Sequence, residues 1–180
     1  MKLTNIALAT VLSLGMVSLA NADADAGSGK VNFEGKIIDA PCSIAPESLD
    51  QTKSFGQVAN VALVNGGKSS VLNFDIKLQG CDISSKNKVQ VTFAGPNGGA
   101  TGTTNTLLAI TGVAKGASIA MFDGSNQPIT LGTATTVQNL IAGNNTLSFS
   151  AYLQGHAGTT LADIEEGDFT STTNFTLAYN

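Results

Sequence analysis

The sequence predicts an all-β protein, two antiparallel sheets packed face to face as a sandwich. Three observations carry this expectation. Apolar residues recur at every second position along most of the chain, which is the period of a half-buried strand. Clusters of Gly, Asn, Asp and Ser interrupt the alternation at short intervals, as turns between strands do. No amphipathic helical stretch of convincing length breaks the pattern, and 180 residues suffice for one domain with a real core.

In chain order, the alternation begins ahead of the first cysteine. Behind a small polar leader (Ala24 to Gly29), Val31, Phe33, Gly35 and Ile37 alternate with Asn32, Glu34 and Lys36, a strand-competent arm. Val58–Leu63 is a short strand candidate. Leu72, Phe74, Ile76 and Leu78 alternate with Asn73, Asp75, Lys77 and Gln79, and Val89, Val91 and Phe93 with Lys88, Gln90 and Thr92. Leu107–Ile110, Ser118–Phe122 and Val137–Ile141 are shorter candidates. Leu147, Phe149, Ala151 and Leu153 alternate with Ser148, Ser150, Tyr152 and Gln154. A last strand runs from Phe169 through Phe175 and Leu177 to Tyr179, with Thr170, Thr172, Asn174 and Thr176 on its other face. Turns are expected at Asn65-Gly66-Gly67, Pro96–Gly99, Asp123–Asn126 and Gly143–Asn145. Many short strands between turns, with a single cysteine pair, specify an antiparallel sandwich of immunoglobulin type. Its last strand carries an apolar face to the end of the sequence, and such a strand must pair with something or act as an aggregation template.

Composition narrows the function. The chain is 42% hydrophobic and only 12% charged, too apolar for disorder. All nine basic residues are Lys, and a net charge of -4 without Arg argues against a nucleic-acid partner. Lys2, the apolar run Ile6–Ala20 and the small-x-small site Ala20-Asn21-Ala22 read as a secretory signal peptide over residues 1–22. Export to an oxidising compartment makes Cys42 and Cys81 a disulfide, worth about 4 kcal/mol by loop entropy. A metal pair or a reactive thiol competes poorly, for want of further Cys and with one His to recruit.

The candidates for chemistry are thin. His156, the only histidine, follows Gly155 in a loop; Ser43, Ser48 or Ser148 would have to be its nucleophile, and no G-x-S-x-G elbow is present. Asp163, Glu165, Glu166 and Asp168 form an acidic cluster without the ligand spacing of a calcium loop, and read as a solvated loop. Gly67-Lys68-Ser69 ends like a phosphate-binding loop, but Ala62 stands where its first glycine belongs, so it reads as a turn. With Trp absent, a sugar site is weakly supported, since only Tyr152 and Tyr179 offer stacking phenols. No catalytic activity, cofactor, metal, nucleic acid or small-molecule substrate is expected.

The run from Gly29 to Ile44, with Val31-Asn32-Phe33-Glu34-Gly35 and Ala40-Pro41-Cys42-Ser43, resembles the start of the mature major subunits of chaperone–usher pili, such as P and type 1 pilus rods. Phe55-Gly56-Gln57-Val58 and Leu78-Gln79-Gly80-Cys81-Asp82 resemble the same family at matching places. So does the C-terminal pattern of Gly167, Phe169, Phe175, Leu177 and penultimate Tyr179. The segment from about Gly95 to Asn145 carries little of this signal, and is expected to form much of a filament's exposed face.

The resemblance implies an incomplete immunoglobulin-like fold that lacks its final strand and is completed in trans by a donor strand. Residues 23–40 would be the donor arm, with Val31, Phe33 and Ile37 as plugs and Gly35 at a tight point; residues 41–180 would be the pilin domain. Gly167, Phe169, Phe175, Leu177 and Tyr179 would belong to the acceptor groove and chaperone-binding strand, and the carboxylate of Asn180 would be held by the chaperone. The implied partners are other copies or related pilus subunits, a periplasmic chaperone and an outer-membrane usher. The implied destination is an adhesive pilus on the cell surface, reached through the periplasm. A minor or adaptor subunit would share both joint halves. A tip adhesin would need a further domain before Cys42. From other classes, a self-contained periplasmic binding module or hydrolase would complete its own sandwich.

Overall fold

The computed structural model describes residues 28–99 and 106–180. The expected signal peptide and the arm as far as Gly27 lie outside the described residues. The chain divides into two units, one ending at Ile37 and a larger one from Ile38 to Asn180. In the first, Ser28 to Ile37 takes no regular secondary structure. Phe33 and Ile37 are 92% and 101% exposed, and Val31 72%.

The second unit carries ten short strands among the described residues: β1 (Ser43–Ile44), β2 (Leu72–Cys81), β3 (Lys88–Ala94), β4 (Leu107–Ala109), β5 (Thr111–Gly112), β6 (Ala117–Asp123), β7 (Gln138–Asn139), β8 (Gly143–Gly155), β9 (Phe169–Thr170) and β10 (Asn174–Tyr179). One sheet has the order β1-β2-β8-β6-β4, the second β10-β3-β7, and β5 pairs with β9. Every pairing is antiparallel. One helical turn, α1 (Pro46–Leu49), and two 3-10 turns, Asn60–Gly66 and Leu161–Asp163, complete the elements.

The alternation read from sequence becomes the core directly. Ile76 and Leu78 of β2, Val89, Val91 and Phe93 of β3, and Leu147, Phe149 and Leu153 of β8 are buried between the sheets. Phe93 stacks edge-on against Phe149, ring centroids 5.1 Å apart, and Phe74 lies 5.4 Å from Phe149. Edge-to-face and offset rings fix the sheet spacing as well as burying area.

Three expectations are corrected. Val58–Leu63 is not a strand: Asn60–Gly66 is a 3-10 turn in which only Leu63 is buried. Close approach explains the choice, because a Cβ on Gly155 of β8 would lie 1.8 Å from the Leu63 carbonyl oxygen. Gly143–Asn145 opens β8 instead of turning, and the positive φ of Gly143 and Gly80 serves a register shift between Leu78 and Cys81. The expected last strand is two pieces with different partners, β9 on β5 and β10 on β3. Between them Ser171 Oγ donates to the Ala109 carbonyl (2.6 Å) and Thr173 Oγ1 to that of Ala94 (3.1 Å). Hydroxyls satisfy those carbonyls where a ladder would have run. The Ser118–Phe122 strand candidate is β6, where Ala117, Ile119, Ala120 and Met121 are buried.

Candidate functional site

β10 is an edge strand. Asn174–Tyr179 pair with β3 on one side, and no strand pairs with the other side among the described residues. Across from it, Gln51–Ala59 is outside every sheet, and among the described residues no main-chain to main-chain bond ties Thr52–Val58 to a neighbour. Between these rims lies a cleft of about 540 Å³, lined by Gln51, Thr52, Lys53 and Phe55 on one side and Ser171–Phe175 on the other. Its floor is the core itself: Ile76, Phe93, Ile119, Met121 and Ala151. A closed sandwich covers such residues with a strand.

A second cleft of about 500 Å³ runs between Gly56–Asn60 and Ile164–Phe169. Phe55 lines the first cleft and Phe169 the second, and their rings lie 6.2 Å apart.

The residues singled out from sequence fall around this opening. Phe175, Leu177 and Tyr179 alternate on one half-buried face of β10 and pack against the core, with Phe175 lining the first cleft. Phe169 sits on β9, and Leu177 and Tyr179 line neither cleft. Gly167 has φ +150, and a Cβ there would meet Val113 Cβ at 2.7 Å. The main-chain N–H groups of Asn87 and Lys88 donate to the Asn180 carbonyl at 3.1 and 3.0 Å. The Tyr179 hydroxyl is buried without a hydrogen-bond partner, and burial pushes its pKa up. Cys42 and Cys81 are joined by a disulfide, Cα atoms 4.2 Å apart, tying the start of β1 to the end of β2. The alternation missed the opposite rim, Gln51–Phe55, where Phe55 stands alone among polar neighbours; only the Phe55–Val58 resemblance marked part of it.

The other candidates are committed elsewhere. His156 Nε2 lies 2.9 Å from Ser118 Oγ, and Ser118, read from sequence only as the start of a strand and not among the serines weighed beside His156, also accepts from the Gly99 N–H. Ser48 accepts from the Lys77 N–H. The acidic cluster disperses: Asp163 accepts from Thr160, Glu165 pairs with Lys115, and Glu166 accepts from Asn60. Among the described residues, no three His, Cys, Asp or Glu side chains converge on a point. The Lys68 ammonium lies 4.7 Å from the Tyr152 ring centroid, and that ring also stacks on Phe122 at 5.3 Å.

The fold is the immunoglobulin-like sandwich of the pilins. Over 78% of this chain and all of the other, it superposes on the P pilus rod subunit PapA with a TM-score of 0.69 at 30% identity. A subunit from a chaperone–usher pilus, described in work on rod uncoiling, gives 0.75 at 32% identity over 86% of this chain and 97% of the other. The profile of the fimbrial protein family matches residues 31–180. The fimbria A protein of Serratia marcescens is 57% identical over 179 residues, and the major MR/P fimbria protein of Proteus mirabilis (strain HI4320) 42%, each covering 99% of both chains. The chain belongs to the fimbrial protein family, and is a structural pilus subunit of the chaperone–usher type. Its relatives are structural fimbrial proteins, whose family forms pili on the cell surface.

Proposed function

We propose that the chain polymerises by donor-strand exchange. Residues 1–22 are removed on export to the periplasm, where a chaperone lends its own strand to the cleft beside β10 and holds the Asn180 carboxylate. At an outer-membrane usher the arm of the next copy, residues 23–40, replaces that strand. The pilin domain, residues 41–180, receives it, and the product is a surface filament with no catalytic role. The observation that carries this reading is the outer edge of β10, unpaired among the described residues, beside a cleft floored by core residues. An inserted strand supplies main-chain hydrogen bonds along the edge, and its alternate side chains fill the cleft.

Val31, Phe33 and Ile37 share one face of an extended arm. Burying three such side chains contributes roughly 5–9 kcal/mol. Ordering the arm opposes this by about 1–2 kcal/mol per residue. The joint therefore owes its permanence to slow dissociation, since release would expose the whole groove. Rapid exchange of subunits out of assembled material would contradict this.

The test uses an oxidised domain beginning at Pro41 and a peptide spanning Gly27–Ala40. The peptide should raise the melting temperature by roughly 10 °C, equivalent to about 4 kcal/mol for a domain of this size. A domain already stable and indifferent to the peptide would show that no strand is missing.

A further inference from the structure

The two clefts are successive lengths of one groove. Along one rim the chain runs from Gln51–Phe55 beside the first cleft to Gly56–Asn60 beside the second; the other rim passes back from Ser171–Phe175 to Ile164–Phe169. The groove therefore leads away from the Asn180 end of β10 and reaches the two 3-10 turns, Asn60–Gly66 and Leu161–Asp163. Asn60 and Leu63 of the first turn and Ile164, which caps the second, line it there. The two turns are tied together. The Asn65 N–H donates to the Thr159 carbonyl at 2.9 Å, and the Gly158 N–H to Asn65 Oδ1 at 3.0 Å. Their outward side chains are apolar and exposed, Val61 65%, Leu161 47% and Val64 36%. Asn60–Gly67 and Gly155–Ala162 contain no Lys, Asp or Glu, so no formal charge interrupts this end of the domain. A grouped, uncharged apolar surface beside a binding groove marks a contact.

We propose that this end face receives the domain of the next copy at the corner where its arm begins, with Ile38 of that copy seated on Val61 and Leu161. The proposal rests on the donor-strand reading above. Every strand pair in this fold is antiparallel, so an arm inserted beside β10 enters at the Asn180 end and leaves the groove at the 3-10 turns. Only Ile38–Pro41 then separate it from Cys42, which the disulfide fixes to Cys81. Four residues span at most about 14 Å, so the next domain has to sit close to the turns. Ile38, the first residue of that link, is 51% exposed in the unassembled chain and has an apolar side chain to bury. The corner it belongs to is the end of the domain opposite the turns: the Asp82 N–H donates to the Pro41 carbonyl, and Gly143 at the start of β8 pairs with Cys81. The contact is thus head to tail, one end of each domain on the other end of its neighbour, and it repeats along a filament. Three or four side chains bury too little to join free chains. Behind so short a link the two surfaces stay at high effective concentration, so the contact sets how each domain sits on its neighbour once the strand is in place.

The test uses the full mature chain, whose two native cysteines are paired, so an introduced pair reacts alone. Multimers of Ile38→Cys with Leu161→Cys, treated with a short bismaleimide, should give dimers and longer ladders that survive full denaturation. Ile38→Cys with Ile141→Cys should give none between copies, because Ile141 lies two residues before Gly143 at the opposite end. Val61→Ser changes an exposed side chain, so the unassembled variant should melt as wild type. Its multimers should dissociate about fivefold faster, the scale of burying part of one valine. If multimers form but the Ile38–Leu161 pair does not cross-link, or Val61→Ser dissociates at the wild-type rate, the end contact is wrong while donor-strand exchange stands. Cross-links between Ile38 and Ile141 of different copies also overturn it, since the arm would then lie parallel to β10. If the wild-type chain forms no multimers at all, donor-strand exchange itself falls and takes this contact with it.

Discussion

Asp123 shows how one side chain holds a turn. It ends β6 and is 4% exposed, yet it keeps a charge. Desolvation raises its pKa, but bonds from Thr136, Gln127 and Ser125 outweigh that and hold the carboxyl below the ordinary carboxylate range. Oδ1 accepts from the Ser125 and Gln127 N–H groups at 3.0 and 2.9 Å, and Oδ2 from the Thr136 hydroxyl. Asn126 takes φ +58 within this turn. Asp123→Asn keeps the volume but loses the charge-assisted bonds, and should cost about 2 kcal/mol at neutral pH. The folded pKa is depressed, so the carboxylate's contribution is present above the unfolded value of about 4 and fades as pH falls through the folded one. Denaturant melts from pH 7 down to pH 2 should therefore show wild type and variant converging in acid. A gap that stayed constant would remove the charge from the explanation.

At the scale of elements, glycines decide where segments touch. Gly67 and Gly155 let the Asn60–Gly66 turn lie on the end of β8, and the Gly155 N–H donates to the Gly67 carbonyl at 2.9 Å. An added Cβ at Gly67 would come within 2.1 Å of the Ala62 carbonyl oxygen. Gly155→Ala should thus destabilise by about 3 kcal/mol or more through backbone displacement, seen as a lower melting temperature. Gly29→Ala, where nothing lies within 4 Å, should leave the unassembled melting temperature unchanged. The break at Ser171–Thr173 belongs to this scale too. Its hydroxyls hand the chain from β5 to β3, so the rim of the first cleft is irregular where the β10 edge is straight.

For the whole molecule, the compact unit and the exposed arm predict separable defects. Phe33→Asp alters a residue 92% exposed, so the unassembled protein should melt as wild type. Multimer ladders should disappear, because a carboxylate in an apolar cleft without a partner costs several kcal/mol. Ladders of normal length would exclude Phe33 as a plug. The disulfide acts differently. Cys42 and Cys81 are 39 residues apart, and reduction should cost about 4 kcal/mol by releasing that loop in the unfolded state. That loss lowers the melting temperature of arm-bearing and arm-trimmed chains alike.

Local alternation was enough to specify the strands that carry the core. A period of two with bulky residues on one side has one stable use, burial of that side, which made β2, β3, β8 and β10 legible. The cysteine pair was legible because export leaves two thiols few other fates. What remained for the tertiary structure were choices made by distant contacts. Val58–Leu63 reads as a strand until Gly155, far along the chain, admits the Leu63 carbonyl. The terminal run reads as one strand until Ala94 and Ala109 offer carbonyls to Thr173 and Ser171. Gln51–Phe55 has no periodicity, so its place as the far rim follows only from what β10 leaves uncovered. Alternation records which side of a segment is apolar; which neighbour covers that side, or leaves it open, depends on chain-distant contacts that no local pattern encodes.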